Sequence, residues 1–275
     1  MRDRQGIIEI CDRYSRGEGS WKIARNFSLY PPDVLRIVRA NNGTVRPAIK
    51  YDVNHSVFSV IDSQAKAYWL GFIAADGYVG YRDALRVNLA KGDSGHLEKL
   101  RIFLETNSPV KSYAPRSNPH GFSKLSVTSK PICSDLAKFG IIGKKSSVLR
   151  WPNLEESLLR HFLRGYFDGD GCIYVSYKGA FHKSFGICLV SNPGFLTSCG
   201  IWISKACNIP PRDLLKAGNS FKAKELRYRR QSDVQSILRL MYRDSCIGLE
   251  RKIKLAEALV DGPDVIDRRK IRHVA

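Results

Sequence analysis

Trp69-Leu-Gly-Phe-Ile-Ala-Ala-Asp-Gly77 and Leu163-Arg-Gly-Tyr-Phe-Asp-Gly-Asp-Gly171 share one pattern: a largely apolar run with glycine in third place, closed by an Asp-Gly pair. The pairs at 76–77 and 170–171 lie 94 residues apart, which is domain-sized spacing. The segments after the two copies match in kind. After the first come alternating residues in Leu85-Arg-Val-Asn-Leu89, a helix over His96 to Glu105, strands near Val110 to Tyr113 and Lys124 to Thr128, and a helix over Pro131 to Phe139. After the second come strands over Ile173 to Tyr177 and Ser184 to Val190, a helix over Pro193 to Cys207, strands over Leu214 to Lys216 and Glu225 to Arg230, and a helix over Asp233 to Met241.

The first motif helix, expected from about Asp62 to Ala75, is apolar almost all round, the mark of a helix at the centre of a fold. Ala67, Gly71 and Ala75 recur on one face, and Gly165 and Gly169 take matching places in the second copy. Small residues at this spacing let two backbones approach closely. If the helices pack about a pseudo-twofold axis, Asp76 and Asp170 come side by side, with Gly77 and Gly171 releasing the chain into the strands. Carboxylates at helix C-termini repel the helix dipole and each other, so a cation must compensate. Oxygen ligands without nearby Cys or His indicate a hard divalent ion, Mg²⁺ or Mn²⁺, held by Asp76 and Asp170. With phosphate oxygens completing its shell, such an ion orients water and stabilises a leaving 3′ oxygen, which implies phosphodiester hydrolysis.

Both nonamers resemble the LAGLIDADG motif, and residues 51–260 are similar to single-chain LAGLIDADG homing endonucleases. The resemblance implies an α+β fold: two pseudo-symmetric αββαββα repeats whose antiparallel sheets form a DNA-binding saddle. It implies a monomeric, metal-dependent endonuclease making a double-strand break in a long target on double-stranded DNA, with the eighth motif residues, Asp76 and Asp170, at the metal. The sixth position is Asp168 in the second copy and Ala74 in the first, a departure not expected to abolish activity. The family also places a basic residue near each scissile phosphate. Lys130 matches in the first half and Lys91 is a second candidate, whereas Gln231-Ser232-Asp233 leaves the second half without a lysine in that region. The alternative is a non-cleaving binder on the same scaffold, either an RNA maturase, with RNA as partner, or a transcription regulator. Regulators of this descent usually lose the acidic residues that this chain retains.

The local pattern agrees with a DNA-facing sheet. Arg86 and Asn88 alternate with aliphatics, as do Lys124, Ser126 and Thr128, and Arg227 and Arg229 alternate with Leu226 and Tyr228. Lys183, ahead of the strand at Ser184, joins these candidates for phosphate contact and base readout.

Composition points the same way. The 275 residues hold 45 Lys+Arg against 26 Asp+Glu, a net charge of +19 that implies a polyanionic partner, while 43% hydrophobic residues are enough for a real core. The longest uncharged run, Ser184 to Ser204, is interrupted by Asn192-Pro193-Gly194, which disfavours a membrane span. Met1-Arg2-Asp3-Arg4 leads into no apolar signal, so an intracellular protein of the cytoplasm or an organelle matrix is expected. Seven cysteines without a Cys-x-x-Cys pair argue against a zinc site or a disulfide framework, leaving reduced, mostly buried thiols.

Residues 1–44 stand apart as a small three-helix segment: one helix around Ile7 to Tyr14, a second capped by Ser20, and a third opened by Pro31-Pro32 and ended at Asn41-Asn42-Gly43. Read as a helix-turn-helix, the third helix would carry Arg36 and Arg39 into a major groove. The remaining organisation is a linker over 45–60, repeats over 61–150 and 151–260, and a basic tail over 261–275 containing Arg268-Arg269-Lys270.

Overall fold

The computed structural model describes residues 4–46, 51–80, 82–114, 121–143, 145–178, 182–218 and 223–260, and of residues 176–178 and 182–184 the backbone alone. The chain divides into two compact units, 1–50 and 51–275. The basic tail and the side chain of Lys183 lie outside the described residues.

The smaller unit holds α1 (Arg4–Ser15), α2 (Ser20–Asn26) and α3 (Pro31–Ala40). Its apolar face closes on Ile10, Tyr14, Ile23, Ala24, Val34 and Val38. Pro31 and Pro32 open α3, where the missing amide hydrogen costs nothing. After Asn42, at φ 59°, the Gly43 amide donates to the Val38 carbonyl at 2.8 Å and ends the helix. Ser20 is not the cap expected for α2: Gly19 takes that place, with no side-chain cap bond.

The larger unit contains the two repeats. The first runs α4 (Gln64–Asp76), β1 (Gly77–Gly80), β2 (Ala84–Ala90), α5 (Ser94–Phe103), β3 (Lys111–Tyr113), β4 (Phe122–Thr128) and α6 (Lys130–Lys138). The second runs α7 (Glu156–Asp170), β5 (Gly171–Lys178), β6 (His182–Ser191), α8 (Pro193–Cys207), β7 (Leu215–Lys216), β8 (Lys224–Tyr228) and α9 (Gln231–Tyr242). A further helix absent from the sequence-based expectation, α10 (Glu250–Val260), comes after it. Each repeat forms a four-stranded antiparallel sheet, ordered β1-β2-β4-β3 and β5-β6-β8-β7. This is the expected α+β arrangement of two αββαββα repeats. Residues 51–60, assigned by sequence to the linker, pack into this unit: Val57 and Phe58 are buried, and the Asn54 amide donates to the Leu104 carbonyl at 3.0 Å.

The helices α4 and α7 meet through their glycines. A Cβ on Gly71 would stand 2.0 Å from the Phe162 carbonyl oxygen, and one on Gly165 would stand 1.9 Å from that of Tyr68. Backbone therefore touches backbone, which only glycine permits. At the helix ends the chain enters β1 and β5 with extended backbone, φ −76° at Gly77 and −80° at Gly171, so no left-handed residue is used. Glycine is required there for space, because a Cβ would lie 2.5 Å from the Ile73 carbonyl oxygen and 2.6 Å from that of Phe167.

Candidate nuclease centre

Asp76 and Asp170 end α4 and α7, and the packing of those helices brings them together. A Cβ on Gly169, the neighbour of Asp170, would stand 3.2 Å from Asp76 Oδ2. Asp76 is half-buried, and Asp170 is exposed at the lining of a cleft. Burial pushes the Asp76 carboxyl up to about 6, and the charge of Asp170 adds to the rise. Burial also raises Asp170, opposed by Lys145, Lys252 and a hydrogen bond with Tyr166. Water entering from the cleft screens the charges around Asp170 more than those around Asp76.

The lysines acting on these carboxyls are Lys145 and Lys252. The Lys145 ammonium donates to the carbonyls of Ile73 (2.9 Å), Ala75 and Gly77 (both 2.5 Å). The Lys252 ammonium donates to those of Phe167 (2.6 Å), Asp168 (2.9 Å) and Gly171 (2.6 Å). Each cation adds a donor to the carbonyls at the end of one motif helix, where those of Ile73 and Phe167 also accept from the amides of Gly77 and Gly171, and opposes the negative pole there. All three donors of each ammonium are used. Burial pulls both ammonium groups down to about 8, against the upward pull of nearby aspartates.

Of the basic candidates from sequence, Lys130 is exposed at the start of α6, and Lys91 is exposed in the 3-10 turn Lys91–Asp93, whose Asp93 pairs with Arg251 at 3.2 Å. The sequence did hold a signal for Lys145 and Lys252. Each comes a few residues after the last αββαββα helix of its repeat, so extending the repeat comparison past α6 and α9 finds a lysine in both.

A cleft of about 780 Å³ opens beside Asp170, lined by Lys145, Ser146, Ser147, Tyr166, Ser191 and Asn192 among others. Among the described residues no group of three or more His, Cys, Asp or Glu could hold a metal ion. The donors at the helix ends are two carboxylates, hard oxygen ligands whose mutual repulsion a divalent cation relieves. Such an ion fits there only if water or a phosphate ester supplies the rest of its shell.

The first sheet gathers its predicted contacts on one face. Arg86 pairs with Ser126 and Asn88 with Lys124, while Leu85, Val87, Leu125 and Val127 face the core. Arg86, Asn88 and Thr128 are exposed, and Lys124 and Ser126 are half-buried. Tyr113 and Phe122 stack at 5.0 Å on the outer end of this sheet. The second sheet differs. Arg227 is bound by both oxygens of Glu225, with Nη2 to Oε2 at 2.6 Å, and its guanidinium lies 5.7 Å from the Tyr174 ring centroid. Arg229 is exposed just beyond the end of β8. Cys172 stands opposite Cys188 and is exposed, as is Cys246; only Cys133 and Cys199 are buried, so the expectation of mostly buried thiols does not hold. In the smaller unit, Arg36 and Arg39 are exposed on α3, with Arg36 paired to Asp33 at 2.7 Å, and the rings of Trp21 and Tyr30 are each 78% exposed. No helix among the described residues is long and apolar enough to cross a membrane.

No family model matches the chain. A curated relative, the replication factor C small subunit of Methanocaldococcus jannaschii, is 28% identical over 109 residues, which is 39% of this chain and only 6% of that protein. Among solved structures, the LAGLIDADG homing endonuclease I-GzeII in complex with its DNA target matches with a TM-score of 0.50 and 11% identity, over 76% of this chain and 95% of that one. The I-SmaMI LAGLIDADG homing endonuclease bound to cleaved DNA matches with a TM-score of 0.50 and 14% identity, over 78% and 96%. I-SmaMI bound to uncleaved DNA with calcium ions also scores 0.50, at 13% identity over 78% and 97%. The chain has the fold of the LAGLIDADG homing endonucleases.

Proposed function

We propose that the protein is a site-specific, divalent-metal-dependent DNA endonuclease that cuts both strands of a long target. The observation carrying this reading is the pair of carboxylates, Asp76 and Asp170, at the adjoining ends of two glycine-notched helices, each end held by a lysine ammonium. Asp76 and Asp170 would hold the metal, Mg²⁺ or Mn²⁺, which when bound supplies charge neutralisation at the reacting phosphate and a polarised water. Lys145 and Lys252 keep positive charge at the helix ends, so that two carboxylates and an approaching phosphate are tolerated in one small volume. Arg86, Asn88, Lys124, Ser126 and Thr128 would lie along the DNA, with Arg227 and Arg229 on the second half. A net charge of +19 supplies long-range attraction for the first approach, and salt weakens it.

The small three-helix unit would add contacts through Arg36 and Arg39 and lengthen the recognised site. The protein would act as a monomer inside the cell, because each repeat contributes one carboxylate and the pair is complete in one chain.

The test is incubation with a library of duplexes and Mg²⁺. Wild type should cut both strands at one site, whereas Asp76→Asn and Asp170→Asn should bind that site and leave it intact. Binding without cutting by wild type would instead support a non-cleaving binder, and tighter retention of structured RNA than of any duplex would support a maturase.

A further inference from the structure

Asp168 takes the sixth place of the second motif, where the first has Ala74, and is 1% exposed. It is not one of the carboxylates at the helix ends. Its Oδ1 accepts a hydrogen bond from Tyr242 Oη at 2.6 Å, and its Oδ2 accepts from Tyr68 Oη and the Leu249 amide, both at 2.7 Å. Its own carbonyl is one of the three that receive the Lys252 ammonium. One residue thereby joins α4 of the other repeat, the end of α9, the entry to α10 and Lys252.

Arg164, one turn earlier and fully buried, completes the clamp. Its Nε donates to the Ile247 carbonyl at 2.9 Å and its Nη1 to the Met241 carbonyl at 2.9 Å. The connection from α9 to α10 is thus fastened to α7 near both its ends, at Met241 and Tyr242 and again at Ile247 and Leu249. Lys252 stands in the first turn of α10, and its seat on three carbonyls requires that turn to stay in one place.

The first repeat reaches the same seat without a buried carboxylate. Ala74 offers no polar side chain. Lys145 opens the 3-10 turn Lys145–Ser147, which Asn192 of the second repeat backs through Nδ2 contacts to Ser146 O at 3.3 Å and Leu149 O at 2.9 Å.

We propose that Asp168 is a positioning residue for Lys252: it fixes the connection between α9 and α10 so that the ammonium stays on the end of α7, and it does nothing comparable for Lys145. Its consequence for cleavage rests on the nuclease reading; its consequence for Lys252 does not. Each half has its own lysine, so a loss confined to one seat should fall on one DNA strand. Asparagine in this place keeps most of the contacts, since its oxygen can face Leu249 and Tyr68 while its amide donates to Tyr242 Oη. Alanine leaves the Tyr242 hydroxyl and the Leu249 amide without this acceptor, while the Tyr68 hydroxyl keeps His96 Nε2 at 2.9 Å.

The experiment compares Asp168→Ala, Asp168→Asn, Tyr242→Phe, Lys252→Met and Lys145→Met with wild type. First, the full-length protein without DNA is treated briefly with an amine-acetylating reagent, and each lysine is quantified by mass spectrometry. Asp168→Ala should raise Lys252 labelling by roughly tenfold or more and leave Lys145 unchanged, with Asp168→Asn close to wild type. If Asp168→Ala does not fold, Tyr242→Phe, which deletes one hydrogen bond, should still raise Lys252 labelling selectively. Unchanged Lys252 labelling, or an equal rise at both lysines, overturns the proposal.

Second, strand-resolved cleavage should show Asp168→Ala slowing the same strand as Lys252→Met by roughly tenfold to a hundredfold, with the other strand little affected. Equal slowing of both strands would reduce Asp168 to a stability residue and overturn the positioning role. If wild type cuts no duplex, the nuclease reading fails, and the labelling result alone decides whether Asp168 positions Lys252.

Discussion

At the end of α4, the Lys145 ammonium meets the carbonyls of Ile73, Ala75 and Gly77; at the end of α7, the Lys252 ammonium meets those of Phe167, Asp168 and Gly171. The two seats are nearly the same, but their supports are not. Lys252 is 5% exposed and comes from a full helix clamped by Asp168 and Arg164, whereas Lys145 is half-buried and comes from a single 3-10 turn. The sheets have diverged further, with open cations on the first face and an arginine bound by a glutamate on the second. Similarity is thus greatest where backbone meets backbone and charge must be balanced, and falls toward the outer surface. Close packing constrains residues more tightly than a solvated face does.

The strongest way to break this comparison is to separate the helices. Gly165→Val places carbon where the Tyr68 carbonyl stands and should cost about 3 kcal/mol or more, enough to lower the urea midpoint by about 1 M or more. Gly71→Val should be equally severe, because its clash with the Phe162 carbonyl is of the same size. A mild effect at one glycine and a severe one at the other would show that the axis is not shared equally.

Lys252→Met and Lys145→Met sharpen the comparison at the helix ends. Removing Lys252 leaves three carbonyls without their buried donor and two aspartates with less positive charge, a loss of about 3 kcal/mol in urea unfolding. Lys145 should cost less, because water can reach its seat. Equal losses would mean that the support around Lys252 adds nothing to stability.

The arrangement of helices and strands is legible from Asp-Gly pairs, glycine spacing and alternation, because those signals reflect backbone geometry. Asp76 and Asp170 are legible for the same reason: they end the helices that the glycines press together. Lys145 and Lys252 are legible only when the repeat comparison is carried past α6 and α9, since a lysine bound to carbonyls otherwise looks in sequence like any surface lysine. Asp168 is legible as a departure from the first copy, but its three partners come from Tyr68, Tyr242 and Leu249, and no local pattern joins those positions. Alternation makes Arg227 a free cation because it assigns a face and not a partner; Glu225, on the same face two residues earlier, takes the guanidinium.

A smaller effect separates the halves by pH. His96 in α5 is buried against Tyr68, Trp69 and Phe72, and Phe195 occupies the matching place in α8. His96 Nε2 meets Tyr68 Oη at 2.9 Å, while its Nδ1 has no partner among the described residues. Burial, with a smaller push from Lys99, pulls this imidazole down to about 3. Between about pH 6.5 and 3 the unfolded chain therefore binds the proton that the folded chain refuses, and stability falls as pH falls, by up to about 1.4 kcal/mol per unit. His96→Phe should remove that slope from urea midpoints measured across the window, at a cost near neutral pH of about 1 kcal/mol for the lost hydrogen bond. An unchanged acid slope would show that the imidazole takes its proton without leaving the core.

The smallest effect tests the outer faces. Glu225→Gln removes the charge that binds Arg227 and leaves the guanidinium available to phosphate. Duplex binding followed by anisotropy should then become a few-fold tighter at low salt, and the salt slope should steepen by about one unit, as for one added phosphate contact. Arg86→Ala on the first sheet should shift the slope by about the same amount in the opposite direction. If Glu225→Gln instead weakens binding to the cleaved target and leaves non-specific binding unchanged, Glu225 reads a base, in the manner of a carboxylate accepting from cytosine N4. In that case the second sheet is specialised for recognition, and the ion pair with Arg227 serves to hold the carboxylate toward the groove.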